Sequence, residues 1–229
     1  MSAQLQNDPG AGTAGTQRTN TILDLAITAL QSEAAKIIGI YQRHALAWAG
    51  DRNKSLFEKA WLDRFIAPLP LNPTILDIGC GCAQPIGRYL IEKGCKVTGV
   101  DSSPELIAMC REKFPDHDWR VGDMRVLPHG PTFDGVLAWD SFFHLCPEDQ
   151  RKMFPLLQAL TAARGTLMFT SGMSCGVAMG TYRGEPLYHS SLDTSEYQSL
   201  LEAGGFEVME HGLEDPTCGH HTVWLSRRR

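Results

Sequence analysis

The chain has no C-x-x-C pair, no H-x-x-x-H, and no apolar run long enough to span a bilayer. The first two absences leave nothing at zinc-site spacing, and with no acid pair at ligand spacing no metal is expected. The third argues against a membrane span and, with no signal-like segment near the start, leads to the expectation of a cytoplasmic protein. Seven cysteines, an odd number, are scattered without a disulfide framework. Basic charge is also short: 21 Lys and Arg face 26 Asp and Glu, a net −5. That balance argues against a nucleic-acid-binding face, because phosphate contacts need clustered cations. The one basic run, Arg227 to Arg229, reads as a solvated terminus.

What is present is concentrated in Thr74 to Leu90, TILDIGCGCAQPIGRYL. Thr74 to Ile78 is a short β-branched and aliphatic run between Pro73 and Gly79, the pattern of a buried parallel strand. It carries Asp77 to its carboxyl end. Gly79 and Gly81 let the backbone turn sharply and approach a ligand, and Pro85 falls at an expected first helical position. A ligand there meets backbone N–H groups and the positive end of a helix dipole. The dinucleotide fingerprint G-x-G-x-x-G fails, because Gln84 occupies its third glycine position.

The pattern that remains, D-x-G-x-G-x-A from Asp77 to Ala83, resembles the first motif of class I S-adenosylmethionine-dependent methyltransferases of the small-molecule type. Ala83 replaces the commoner third glycine, which is without penalty only if its φ is negative. The resemblance implies a doubly wound, Rossmann-like α/β sheet of seven strands with a C-terminal antiparallel hairpin. It implies S-adenosylmethionine as cofactor.

Along the chain, residues 1–20 have almost nothing to bury and are expected to form a mobile tail. Residues 21–229 are expected to form one domain, with a helical cap over residues 21–70. Within the cap, Ile22 to Leu30 is a short helical candidate. Ala34, Ile37, Ile38, Tyr41, Ala45 and Trp48 form a stripe at helical spacing, and Leu56 to Ile66 a further helix. The stripe reads as core packing, or, at Tyr41 and Trp48, as the cover that the resembling family lays over its cofactor. Lys96 to Val100 is a second strand ending on Asp101, where a carboxylate can accept both ribose hydroxyls of an adenosine. Ser102 follows it, and Ser103, Pro104 and Glu105 open a capped helix. Trp119 to Val121 is a third strand. The resemblance gives Asp123 the adenine amino group and Met124 a ring nitrogen, and it adds Cys80 and Trp139 to the cofactor-binding set.

Thr132 to Trp139 is the fourth strand, at the switch point beside the first. Its end places two candidate catalytic residues at the crevice. His144 is a candidate general base or a structural histidine, and Asp140 a group that orients the acceptor, holds a cationic amine, or caps a turn. A helix from Pro147 to Ala162 is expected to kink or split at Pro155. Gly165 to Thr170 is the fifth strand. Ser171 to Leu192 reads as a long functional loop whose Tyr182, Glu185, Tyr188 and His189 contact the acceptor. Asp193 opens a last helix, and the chain closes on two strands, Phe206 to His211 and Thr222 to Leu225. His220 and His221 are expected at the surface.

The resemblance implies, as the expected activity, methyl transfer to N or O of a small-molecule acceptor by direct in-line displacement. The oligomeric state is left open. An NAD-dependent oxidoreductase and a non-catalytic cofactor- or partner-binding domain are the alternatives.

Overall fold

The computed structural model describes residues 29–128 and 130–229. The expected tail, and most of the helix expected from Ile22 to Leu30, lie outside the described residues. The chain opens with a helix over residues 29–43 (α1), followed by α2 (Ala45–Asp51) and α3 (Lys59–Ile66). Alternation of strand and helix then begins: β1 (Thr74–Ile78), α4 (Ile86–Glu92), β2 (Lys96–Asp101), α5 (Pro104–Lys113), β3 (Asp118–Val121), β4 (Phe133–Ala138), α6 (Pro147–Leu160) and β5 (Thr161–Ser171). After it come β6 (Gly176–Tyr182), β7 (Glu185–Ser191), α7 (Thr194–Ala203), β8 (Phe206–Asp215) and β9 (His221–Arg228).

Seven strands form one sheet in the order β3-β2-β1-β4-β5-β9-β8. The first five are parallel, and β9 enters antiparallel between β5 and β8. This is the doubly wound sheet with a C-terminal hairpin expected from the sequence. Strand order reverses between β1 and β4, so a crevice opens past their carboxyl ends.

Both faces of the sheet are buried, which is why its central strands read as unbroken apolar runs. Ile75, Leu137, Met168, Val223 and Leu225 point to the face covered by Trp61, Leu62 and Phe65 of α3 and by α4 and α5. Their neighbours Leu76, Val136, Leu167, Phe169 and Trp224 point to the other face, under Met153, Phe154 and Leu157 of α6 and Tyr197 and Leu201 of α7. No helix among the described residues is long and apolar enough to cross a membrane.

Four local expectations are corrected. Ser171 to Leu192 is not a loop: β6 and β7 pair as a separate two-stranded antiparallel sheet. Arg183 and Gly184, with φ of 51° and 83°, form its two-residue turn, the backbone sign that a right-twisted hairpin needs. Pro155 does not split α6, which runs unbroken through it. Proline lies on the exposed side, so the carbonyl it leaves unbonded faces water, while buried Met153, Phe154 and Leu157 hold the helix down. Pro85 is the N-cap of α4 rather than its first residue. Ala83 has φ of +57°, so the condition for its being unstrained is not met. The turn into α4 requires a left-handed residue there, and an L-alanine in that region costs on the order of 1 kcal/mol.

Candidate active site

The glycine turn is fitted between two neighbours. Gly79 (φ +77°) lies against the end of β4: a Cβ on it would come 2.3 Å from the Ser141 Cβ. Ser141 Oγ donates to the Ile78 carbonyl at 2.7 Å, which ties the ends of β1 and β4 together at the switch point. Gly81 (φ +56°) lies under the cap, and a Cβ there would meet the Trp48 ring at 2.5 Å. Asp101 completes the turn, accepting from Gly81 N–H and from Ser103 N–H, each at 2.9 Å. Burial pushes the Asp101 carboxyl above the ordinary range, and these backbone donors act against that rise.

Around this turn lies a cleft of about 320 Å³. Its floor comes from Gly79, Gly81, Asp101 and Ser102, one wall from Asp123 and Met124, and the other from Asp140, Ser141 and His144. Helix α1 and Trp48 of α2 form the roof. The structure thus brings Tyr41, Trp48, Asp101, Asp123, Asp140 and His144 to one space from five separate elements. Asp123 already accepts from the Arg125 backbone N–H at 2.9 Å and pairs with its guanidinium. Asp77, Cys80 and Trp139 lie beneath the cleft without lining it, each at most 9% exposed. Burial, with a further push from Asp101, raises the Asp77 carboxyl to about 7.

At the methyl-transfer end expected from the sequence, His144 and Tyr41 form a pair. Tyr188 O lies 2.9 Å from His144 Nδ1, and a carbonyl only accepts, so Nδ1 carries the proton. Nε2 then offers its lone pair to the Tyr41 hydroxyl at 2.9 Å. Burial lowers the His144 pKa to about 4, so the imidazole is neutral at physiological pH. The Tyr41 hydroxyl is held protonated by burial and by the nearby Asp140 and Asp101 charges.

None of Tyr182, Glu185, Tyr188 and His189 lines the cleft; all four sit where the β6–β7 hairpin grips the cap or His144. The Tyr182 ring stacks on Tyr41, and its hydroxyl donates to Asp51 at 3.2 Å. Glu185 pairs with Arg43 and, at 2.6 Å, with His44. Tyr188 is buried with Ile37 and Ile40 in a small cluster between hairpin and α1, and the His189 ring lies 4.8 Å from His144.

Three residues behind Asp140 escaped the sequence reading. His221 is not at the surface: Nε2 bonds Asp140 Oδ1 and Nδ1 bonds the Cys218 carbonyl, each at 2.7 Å. Arg52 lies 3.6 Å from Asp140 Oδ2 and donates to the fully buried Glu58 at 2.9 Å. The antiparallel entry of β9 beside β5 was the available signal, because it puts the first residue of β9 at the carboxyl ends of the parallel strands.

Comparison with known proteins fits this geometry. Residues 75–165 match the family described as "Methyltransferase domain". The match runs from β1 into β5 and takes in the glycine turn, Asp101, Asp123, Asp140 and His144. A malonyl-[acyl-carrier protein] O-methyltransferase of Salmonella typhimurium is 29% identical to this chain over 43% of the chain and 38% of its own length. An 18S rRNA (guanine-N(7))-methyltransferase of Mus musculus is 27% identical over 53% of the chain and 41% of its own. The chain therefore spans about two-fifths of the length of these curated relatives. A solved structure, the Burkholderia thailandensis 1,6-didemethyltoxoflavin-N1-methyltransferase, superposes with a TM-score of 0.65 at 19% identity, covering 97% of this chain and 93% of that one.

Proposed function

We propose that the protein transfers a methyl group from S-adenosylmethionine to N or O of a small-molecule acceptor. The observation that carries this is the Asp101 carboxylate at the end of β2, facing the cleft across the glycine turn from Asp140 and His144. The donor set fits the cofactor: the half-buried Asp101 carboxylate for two vicinal hydroxyls, Asp123 for an amino group, and Asp140 toward a cationic end. The Burkholderia relative is described with S-adenosylhomocysteine bound, which supports the same assignment.

Bound S-adenosylmethionine supplies a methyl group already activated on a sulfonium, so no covalent enzyme intermediate is required. The chain's own residues align and exclude water. Orientation of this kind contributes roughly 7 to 11 kcal/mol toward a bimolecular step. Trp48 and α1 close the cleft from above. The Tyr41 oxygen keeps lone pairs free while its hydroxyl donates to His144 Nε2, so Tyr41 can orient an acceptor, whereas an imidazole whose pKa burial holds at about 4 is a weak base for the acceptor proton. A roofed cleft and a net charge of −5 favour a compact acceptor over a polyanion.

Isothermal titration checks the reading. S-adenosylhomocysteine is expected to bind where NAD does not, and Asp101→Ala to weaken it at least tenfold. Binding of NAD instead, or an unchanged affinity in Asp101→Ala, overturns it. Mass spectrometry of candidate amines and phenols incubated with methyl-labelled cofactor then reports turnover.

A further inference from the structure

Asp140 is the one carboxylate at the switch point that the chain holds from behind. Its backbone is left-handed, with φ of +50°, a strained state for a residue other than glycine. Its N–H donates to Thr170 Oγ1 at 2.9 Å, and its two oxygens face His221 and Arg52. Of these partners, His221 has the shortest and best-defined hold. A carbonyl and a carboxylate are both acceptors, so a ring bonded to Cys218 O and to Asp140 Oδ1 must carry a proton on each nitrogen. The ring is wedged between Phe57 and Trp139, with centroids 5.7 Å and 5.4 Å away. His221 does not reach the cleft, whereas Asp140 does.

We propose that His221 is a positioning residue: a doubly hydrogen-bonded imidazolium that keeps the Asp140 carboxylate aimed into the cleft at the end that takes a cationic ligand group. The inference rests on the S-adenosylmethionine reading of that cleft. The charged groups facing His221 are Asp140 from the end of β4, Arg52 and Glu58 from the segment between α2 and α3, and the Cys218 thiol beside β9. Burial pushes that thiol up to about 12, so it stays neutral. Burial alone would lower the His221 pKa, but the bonded Asp140 charge outweighs it and the net shift is upward. That upward shift favours the doubly protonated ring that its two acceptors require. When it finally loses a proton, either Asp140 or the Cys218 carbonyl faces a bare lone pair and the clamp opens.

A ring that merely fills space and a ring that positions a carboxylate respond differently to substitution. His221→Phe keeps the aromatic wedge and removes both donors, while His221→Gln keeps a donor toward Asp140. The test is a double-mutant cycle on S-adenosylmethionine affinity by calorimetry, with Asp140→Asn as the second position. Expected are a loss of about tenfold in His221→Phe, a similar loss in Asp140→Asn, and no further loss in the double variant. His221→Gln is expected within about threefold of the parent. Nitrogen-15 NMR supplies a readout independent of binding: both His221 nitrogens protonated at pH 7, with a titration midpoint that falls in Asp140→Asn.

Wild-type affinity in His221→Phe, additive losses, or an unprotonated Nε2 at pH 7 overturns the proposal. If the parent fails to bind S-adenosylmethionine, the cofactor reading falls, and the NMR arm alone decides whether His221 holds Asp140.

Discussion

Single residues in this protein carry opposing demands, and Asp77 shows it most clearly. It lies 4% exposed at the end of β1, and its folded-state pKa of about 7 stands above the ordinary carboxylate value near 4. A raised folded pKa means that stability is complete below the unfolded value and is lost as pH rises through the folded one. Asp77→Asn is therefore expected to leave stability almost unchanged at pH 3, below the unfolded value. At pH 8 it should stabilise the ligand-free protein by on the order of 3 kcal/mol. Denaturant unfolding at the two pH values checks this, and an equal effect at both would refute it. Ala83 carries a smaller version of the same tension. Its φ of +57° suits glycine, so Ala83→Gly should raise stability by about 0.5 to 1 kcal/mol, less any gain of freedom in the unfolded chain. A fall in thermal midpoint would show that the buried methyl group contributes more than the strain costs.

At the scale of elements, α1 and the β6–β7 hairpin act as a clamp whose grip differs from point to point. The Glu185 pairs with Arg43 and His44 are partly solvated, and such pairs contribute about 0 to 1 kcal/mol. The Tyr41–His144 bond joins a half-buried hydroxyl to a buried ring, where removing the hydroxyl strands Nε2 at a cost of roughly 1 to 3 kcal/mol. Tyr41→Phe is thus expected to weaken S-adenosylhomocysteine binding and lower the thermal midpoint more than Glu185→Gln does. The reverse ranking would place the grip at the rim. The elements that were readable from the sequence are those specified by their own residues. The β1 turn has its glycines, α5 has the Ser103 cap and Pro104, α7 has Asp193, and β2 ends on Asp101 at the spacing of one strand–helix–strand unit. The β6–β7 hairpin was hidden because Gly, Ser and Met blur its alternation, and its inner side chains find their partners on distant segments, Tyr188 on α1, His189 on His144 and Ser190 on Leu145 and Gln150. Arg52, Glu58 and His221 were hidden for a stronger reason. Their meeting depends on where β9 enters the sheet, which no local pattern records.

The whole molecule divides into a large core and a small appendage. The seven-stranded sheet is sandwiched between two extensive apolar clusters, whereas α1 and the hairpin share only a minor one built on Ile37, Ile40 and Tyr188. Opening free energies follow the apolar area that must be exposed, so the appendage should open without the core. Hydrogen exchange is expected to show the amides of α1 and of β6–β7 exchanging together, at a free energy well below that of β1, β4 and β5. S-adenosylhomocysteine should raise protection in the appendage far more than in the core, because its cleft is roofed by α1 and floored by the sheet. The two outcomes have opposite implications for access. Separate opening means that the ligand enters by lifting α1 while Asp101, Asp140 and the glycine turn stay in place. Exchange of α1 at the global rate would mean that the roof is part of the folding core and that the ligand reaches the cleft by another route.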